Sequence, residues 1–81
     1  MNVQVKIPML GKEYEFELDE DADLKTLIRE MTALVCQREH CQIRGNMDKL
    51  LLFHANSKKL LSVNQTLIQA GIKIGDTLIL S

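Results

Sequence analysis

The residues best suited to chemistry lie in the middle of the chain. Cys36, His40 and Cys41 form a Cys-x3-His-Cys cluster, and His54 follows thirteen residues later. Three soft ligands this close together suggest zinc. A structural zinc site, however, takes four ligands, usually delivered as paired Cys-x2–4-Cys groups. The fourth would have to be His54, and nothing in the spacing brings it near. Adjacent residues such as His40 and Cys41 also point apart in most backbone conformations. The expectation is no metal: ordinary residues at a helix end and in a loop.

A cysteine nucleophile needs a base oriented by a third group. Cys41 with His54 and an aspartate has the right residue types but no supporting spacing, so no catalytic residue is assigned. The acidic run Asp19-Glu20-Asp21-Ala22-Asp23 lacks the ligand alternation and the glycine of a calcium loop. The glycines stand singly, so there is no phosphate cradle and no cofactor site. The four methionines read as core filler or loop contacts.

Composition narrows the field further. Eighty-one residues make one domain with one core. Apolar residues are 46% and charged residues 26% of the chain, close to globular averages. Ten basic residues nearly cancel eleven acidic ones, for a net charge of −1, and no basic run exceeds Lys58-Lys59. This argues against nucleic acid as the partner, which needs a net basic face to displace counterions. The longest apolar run, Leu50 to Phe53, is far too short to span a bilayer. Met1 to Lys6 lacks a signal-peptide layout, so the expected compartment is the cytosol and the thiols are expected to be reduced.

The elements that must position these residues follow from periodicity. Val3, Val5 and Ile7 alternate with Asn2, Gln4 and Lys6, as in a half-buried strand. Pro8 should weaken pairing, and Met9-Leu10-Gly11-Lys12 forms a loop with Gly11 available for positive φ. Tyr14, Phe16 and Leu18 then face one way, and Glu13, Glu15 and Glu17 the other. The result is a hairpin with one wet face, on which Lys6 lies opposite glutamates. Asp21 or Asp23 is a candidate cap for a helix from about Leu24 to about Arg38. Leu24, Leu27, Ile28, Met31, Leu34 and Val35 form its apolar stripe. Glu39 to Asp48 reads as a loop pinned by Ile43.

Leu50 to Phe53 is consistent with a central strand, but four apolar residues in a row leave its facing open. Ala55 to Lys58 is a turn and Lys59 to Leu61 a short strand. Asn64 is a possible cap for a helical turn through Leu67 and Ile68 that stops at Gly71, and Ile72 and Ile74 are expected anchors. After a tight turn at Gly75-Asp76, the strand Thr77 to Leu80 places Leu78 and Leu80 on one face. One helix must then cover one side of a mixed sheet of four to five strands, with the first and last strands paired in parallel. This is an α+β, β-grasp arrangement spanning residues 1–81.

These pieces resemble the ubiquitin superfamily over the whole chain. They are the hairpin Val3 to Leu18, the helix behind Asp23, Leu51-Leu52-Phe53 before a turn, Thr66-Leu67 with Gly71-Ile72, and the closing Gly75 to Leu80. Within that superfamily the ending Ala70-Gly71-Ile72…Gly75-Asp76 is similar to the stand-alone bacterial YukD/EsaB type. The resemblance implies a non-catalytic protein that binds other proteins as an accessory of type VII secretion, at the inner face of the membrane through its partners. Conjugating relatives end in a mobile tail with two glycines. The sequence given closes at Leu80-Ser81, so the expectation is that it is not conjugated.

Such domains commonly bind through an apolar patch on the outer sheet face. The matching positions here are Leu10, Leu52 and Ile79, with Leu51 or Phe53 replacing Leu52 if the strand is shifted by one residue. The same face would also suit a homodimer. Two other readings stand beside this one. The chain could be a small β-grasp subunit of a multicomponent enzyme such as an oxygenase complex, or a modifier whose reading frame continues past Ser81 into glycines.

Overall fold

The computed structural model describes residues 1–39 and 50–81. The element order is β1 (Asn2–Ile7), a 3₁₀ turn (Pro8–Leu10), β2 (Lys12–Glu17), α1 (Leu24–Glu39), β3 (Leu52–His54), β4 (Lys59–Leu60) and β5 (Thr77–Leu80). His40, Cys41 and Ile43, together with the loop expected around Gly45 and Asn46, lie outside the described residues.

β1 and β2 form an antiparallel hairpin that sets Val3 against Phe16, Val5 against Tyr14 and Lys6 against Glu13. Pro8 ends the ladder and opens the 3₁₀ turn, which Gly11 closes at φ 62. The last strand returns beside the first: β1 and β5 are parallel, and β3 is antiparallel to β5. The sheet order is therefore β2-β1-β5-β3-β4. Both chain-end strands are central, and β2 and β4 form the edges.

Alternation along these strands builds the core. Val3, Val5 and Ile7 on β1, Leu52 on β3, and Leu78 and Leu80 on β5 are buried. They meet Leu24, Leu27, Ile28, Met31 and Val35 from α1, and Leu67 and Ile72 close the cluster. The helix thus covers one sheet face, as its apolar stripe requires. This is the β-grasp arrangement expected from the sequence.

Three local expectations need correction. Leu34 lies off the buried stripe and is 55% exposed: the buried face of α1 runs through Leu24, Leu27, Ile28, Met31 and Val35, with Thr32 buried beside it. Ile72 is buried as an anchor, whereas Ile74 sits in the turn ahead of β5 at 76% exposure. The short turn after residue 65 is capped by Thr66 rather than Asn64. The Gln69 amide donates to Thr66 Oγ1 at 3.2 Å and the Thr66 amide to Gln69 Oε1 at 2.9 Å. This is the reciprocal pairing of a capping box.

The same segment supports the start of α1. The Leu24 and Lys25 amides donate to the carbonyls of Gln65 and Val63 at 2.9 and 3.1 Å. Two N–H groups that a helix start leaves without intrahelical partners are thus bonded by a distant loop. Asp19 caps its own turn through the Asp21 amide at 2.9 Å.

Candidate functional site

The outer sheet face is assembled from residues the core rejects. With Leu52 pointing inward at 0% exposure, Phe53 must point outward. The ladder sets Phe53 opposite Ile79 on β5 and Leu60 on β4, and Ile79 lies beside Lys6 on β1. Leu51 and Ser81 exchange both backbone bonds, at 2.7 and 3.0 Å, so Leu51 extends the same face by one step. Leu60 is 57% exposed, Leu51 is exposed, and Phe53 and Ile79 are half-buried. Four apolar side chains from three strand segments therefore adjoin one another on a solvent-facing sheet.

Of the three residues expected in this patch, Ile79 stands on the outer face. Leu52 does not: it pairs with Leu80 and faces the helix, and the one-residue alternative Phe53 takes its place. Leu10 is half-buried and packs against the core from the 3₁₀ turn, which removes it from the outer row. Leu60 was missed because its run, Lys59-Leu60-Leu61, is too short to show alternation. Only its pairing with Phe53 fixes its face.

Of the chemically capable residues, Cys36 and His54 lie among the described residues. Cys36 is a half-buried thiol on α1, while His40 and Cys41 lie outside the described residues. Among the described residues no three His, Cys, Asp or Glu side chains converge as a metal site. His54 instead meets Asp76 and Ser57. Its Nε2 lies 2.8 Å from Asp76 Oδ2, and its Nδ1 lies 2.7 Å from Ser57 Oγ. An ionised carboxylate only accepts, so Nε2 carries the proton, and in the neutral ring Nδ1 accepts from the Ser57 hydroxyl.

These three residue types are those of a hydrolytic triad, but such use would also need a substrate cleft and oxyanion donors at the serine. Two surface grooves among the described residues, one between β2 and α1 and one at the hairpin turn, are lined by other residues. What the trio does is tie the turn after β3 to the turn before β5. Asp76 also accepts the Lys73 amide at 2.9 Å, and the Thr77 amide donates to Asn56 Oδ1 at 2.9 Å. The Lys73 amide is the main reason the Asp76 carboxyl is held below its ordinary value, and the His54 hydrogen bond adds to it.

A second tie joins the hairpin to the end of α1. Lys12 Nζ lies 2.6 Å from Glu39 Oε2, and the Tyr14 hydroxyl donates to Glu39 Oε1. The Lys12 contact is the leading cause that lowers the Glu39 carboxyl, followed by Tyr14. Arg38 lies 5.8 Å from the centre of the Tyr14 ring.

The architecture recurs in solved structures. An N-terminal ubiquitin-like domain in the 4931431F19Rik protein is 27% identical at a TM-score of 0.71, over 100% of this chain and 72% of that one. A ubiquitin-like domain of the Arabidopsis thaliana protein At2g32350 is 16% identical at 0.74, over 100% and 74%. ATBAG1, solved in complex with HSP70, is 15% identical at 0.74, over 100% of this chain and 39% of that one. The fold is thus the ubiquitin-like β-grasp. No protein-family profile matches the sequence, and no curated protein matches it. Among the described residues no helix is long and apolar enough to cross a membrane.

Proposed function

We propose that this chain is a non-catalytic protein-binding module of the cytosol, which docks a partner on the outer sheet face around Leu51, Phe53, Leu60 and Ile79. The observation that carries this reading is the ladder register, which makes four exposed or half-exposed apolar side chains contiguous. A contiguous apolar patch on a small domain often marks an interaction site. ATBAG1, a structural neighbour solved in complex with HSP70, supports a binding role for the fold. Affinity capture with the parent chain and with Ile79→Glu tests it. The charge at the patch centre should remove the specifically captured proteins while circular dichroism stays unchanged. An identical captured set from both chains sinks the reading.

A narrower role as a YukD/EsaB-type accessory of type VII secretion is supported by the resemblance of Ala70-Gly71-Ile72 and Gly75-Asp76. Its test is the identity of the captured proteins. Secretion components would support it, and their absence from a bacterial source would count against it.

A further inference from the structure

The contacts of Ser57, His54 and Asp76 that tie two turns together also suit a second use. A serine hydroxyl becomes nucleophilic when a base receives its proton, a third group holds that base, and a reactant can reach the oxygen. His54 meets the first condition. Its Nδ1 lies 2.7 Å from Ser57 Oγ and is free to accept, because the Nε2 proton is directed at Asp76 Oδ2, 2.8 Å away. Asp76 meets the second, and its carboxylate is itself fixed by the Lys73 amide at 2.9 Å. Burial meets the third. His54 is 7% exposed, whereas Ser57 is exposed in the turn between β3 and β4. The base is shielded from bulk water, and the hydroxyl is open to it.

The backbone gives an independent sign. Lys58, directly after Ser57, is the one non-glycine residue with positive φ among the described residues, at φ 58. That conformation is uncommon for a residue with a long side chain. Backbone strain of this kind gathers at functional sites. Here it turns the chain into β4 while leaving Ser57 Oγ within reach of His54 Nδ1.

The geometry points to Ser57 as an acyl-acceptor site, which takes one acyl group from an activated ester or thioester. Ser57 Oγ bonds to the carbonyl carbon, and its proton passes to His54 Nδ1. The bond to the leaving phenolate or thiolate breaks, and the leaving group departs with the electron pair. Asp76 is a positioning residue: it orients the ring and offsets the charge that His54 gains. Repeated turnover would need a substrate cleft and oxyanion donors. A single transfer proceeds without them, because an activated donor brings its own good leaving group. The serine ester that results has a poor one, so it persists. Ser57 is thus a site of covalent modification, and partner binding around Ile79 does not depend on it. The competing account is that the trio only joins the two turns.

The probe is p-nitrophenyl acetate, mixed with the intact chain near neutral pH. One equivalent of p-nitrophenolate should appear in a rapid phase, and peptide mapping should place one acetyl group on Ser57. Hydroxylamine should remove that group, as it does an oxygen ester, whereas acetyl amides on lysines resist it. Ser57→Ala should abolish the rapid phase. Asp76→Asn should slow it about tenfold or more. It should also move the midpoint of the rate's rise with pH downward, because the carboxylate that favours the protonated ring is gone. His54→Gln should slow the phase about a hundredfold or more. Circular dichroism checks that this variant folds; if it does not, Asp76→Asn and its pH profile decide. The proposal is overturned if no rapid phase appears, if the acetyl group maps to an amine, or if Ser57→Ala reacts like the parent. It is also overturned if Asp76→Asn keeps the parent's rate and pH profile, which would leave the trio as a structural tie alone.

Discussion

His54 shows how a residue's surroundings decide its role. In the sequence it is a lone histidine without a visible partner. In the fold it is buried between Asp76 and Ser57, twenty-two and three residues away. No local pattern could have paired it with Asp76, because the contact exists only once β3 and β5 are neighbours. Asp76 has a measurable consequence. Its folded-state carboxyl lies below the ordinary value of 3.8, so ionised Asp76 contributes stability above that pH, and the contribution is lost as pH falls through the folded value. Glu39, held below its ordinary 4.5, acts in the same direction. The expected result is that Asp76→Asn lowers the urea midpoint at pH 7, and that the difference from the parent shrinks as pH falls through the folded-state titration of the carboxyl. An unchanged difference over that range would mean that the lost shape, not the charge, matters.

At the scale of elements, most of the secondary structure was legible. Period-two alternation gave β1 and β2, and a single amphipathic stripe gave α1 to within one residue at its C-terminus. What stayed hidden were assignments that depend on a neighbour. Leu50 to Phe53 carries no alternation, so only the Leu52–Leu80 and Phe53–Ile79 pairs reveal its facing. Leu34 fits the helical period, yet faces solvent over the groove. Near α1's start the sequence offers acidic caps, whereas the structure bonds the Leu24 and Lys25 amides to the 63–65 loop. That loop is held by the Thr66–Gln69 box next to the Asp23–Thr66 bridge. Thr66→Ala should therefore cost about 1 kcal/mol in chemical denaturation, and Asn64→Ala should stay within about 0.5 kcal/mol. Equal costs would return the cap to Asn64.

For the whole molecule, the decisive feature is that the two ends of the chain pair with each other at the centre of the sheet. Closing this parallel β1–β5 contact commits every intervening element to one side or an edge, so the sheet has only two kinds of exposed surface. One is the outer face; the other is the pair of edges, β2 and β4. The proposed docking uses the first, and it depends on the phase of β3 relative to the core. That phase has a direct energetic test. Leu52 is fully buried between β5 and α1, so Leu52→Ala should cost about 2–5 kcal/mol through lost transfer energy and the cavity left behind. Its neighbour Leu51 lies on the solvent side, and Leu51→Ala should cost less than about 1 kcal/mol. A slip of β3 by one residue would exchange the two costs and move Phe53 into the core. Paired urea unfolding curves for the two variants distinguish these registers. A larger loss for Leu51→Ala would remove Phe53 from beside Ile79, and with it the contiguous outer patch.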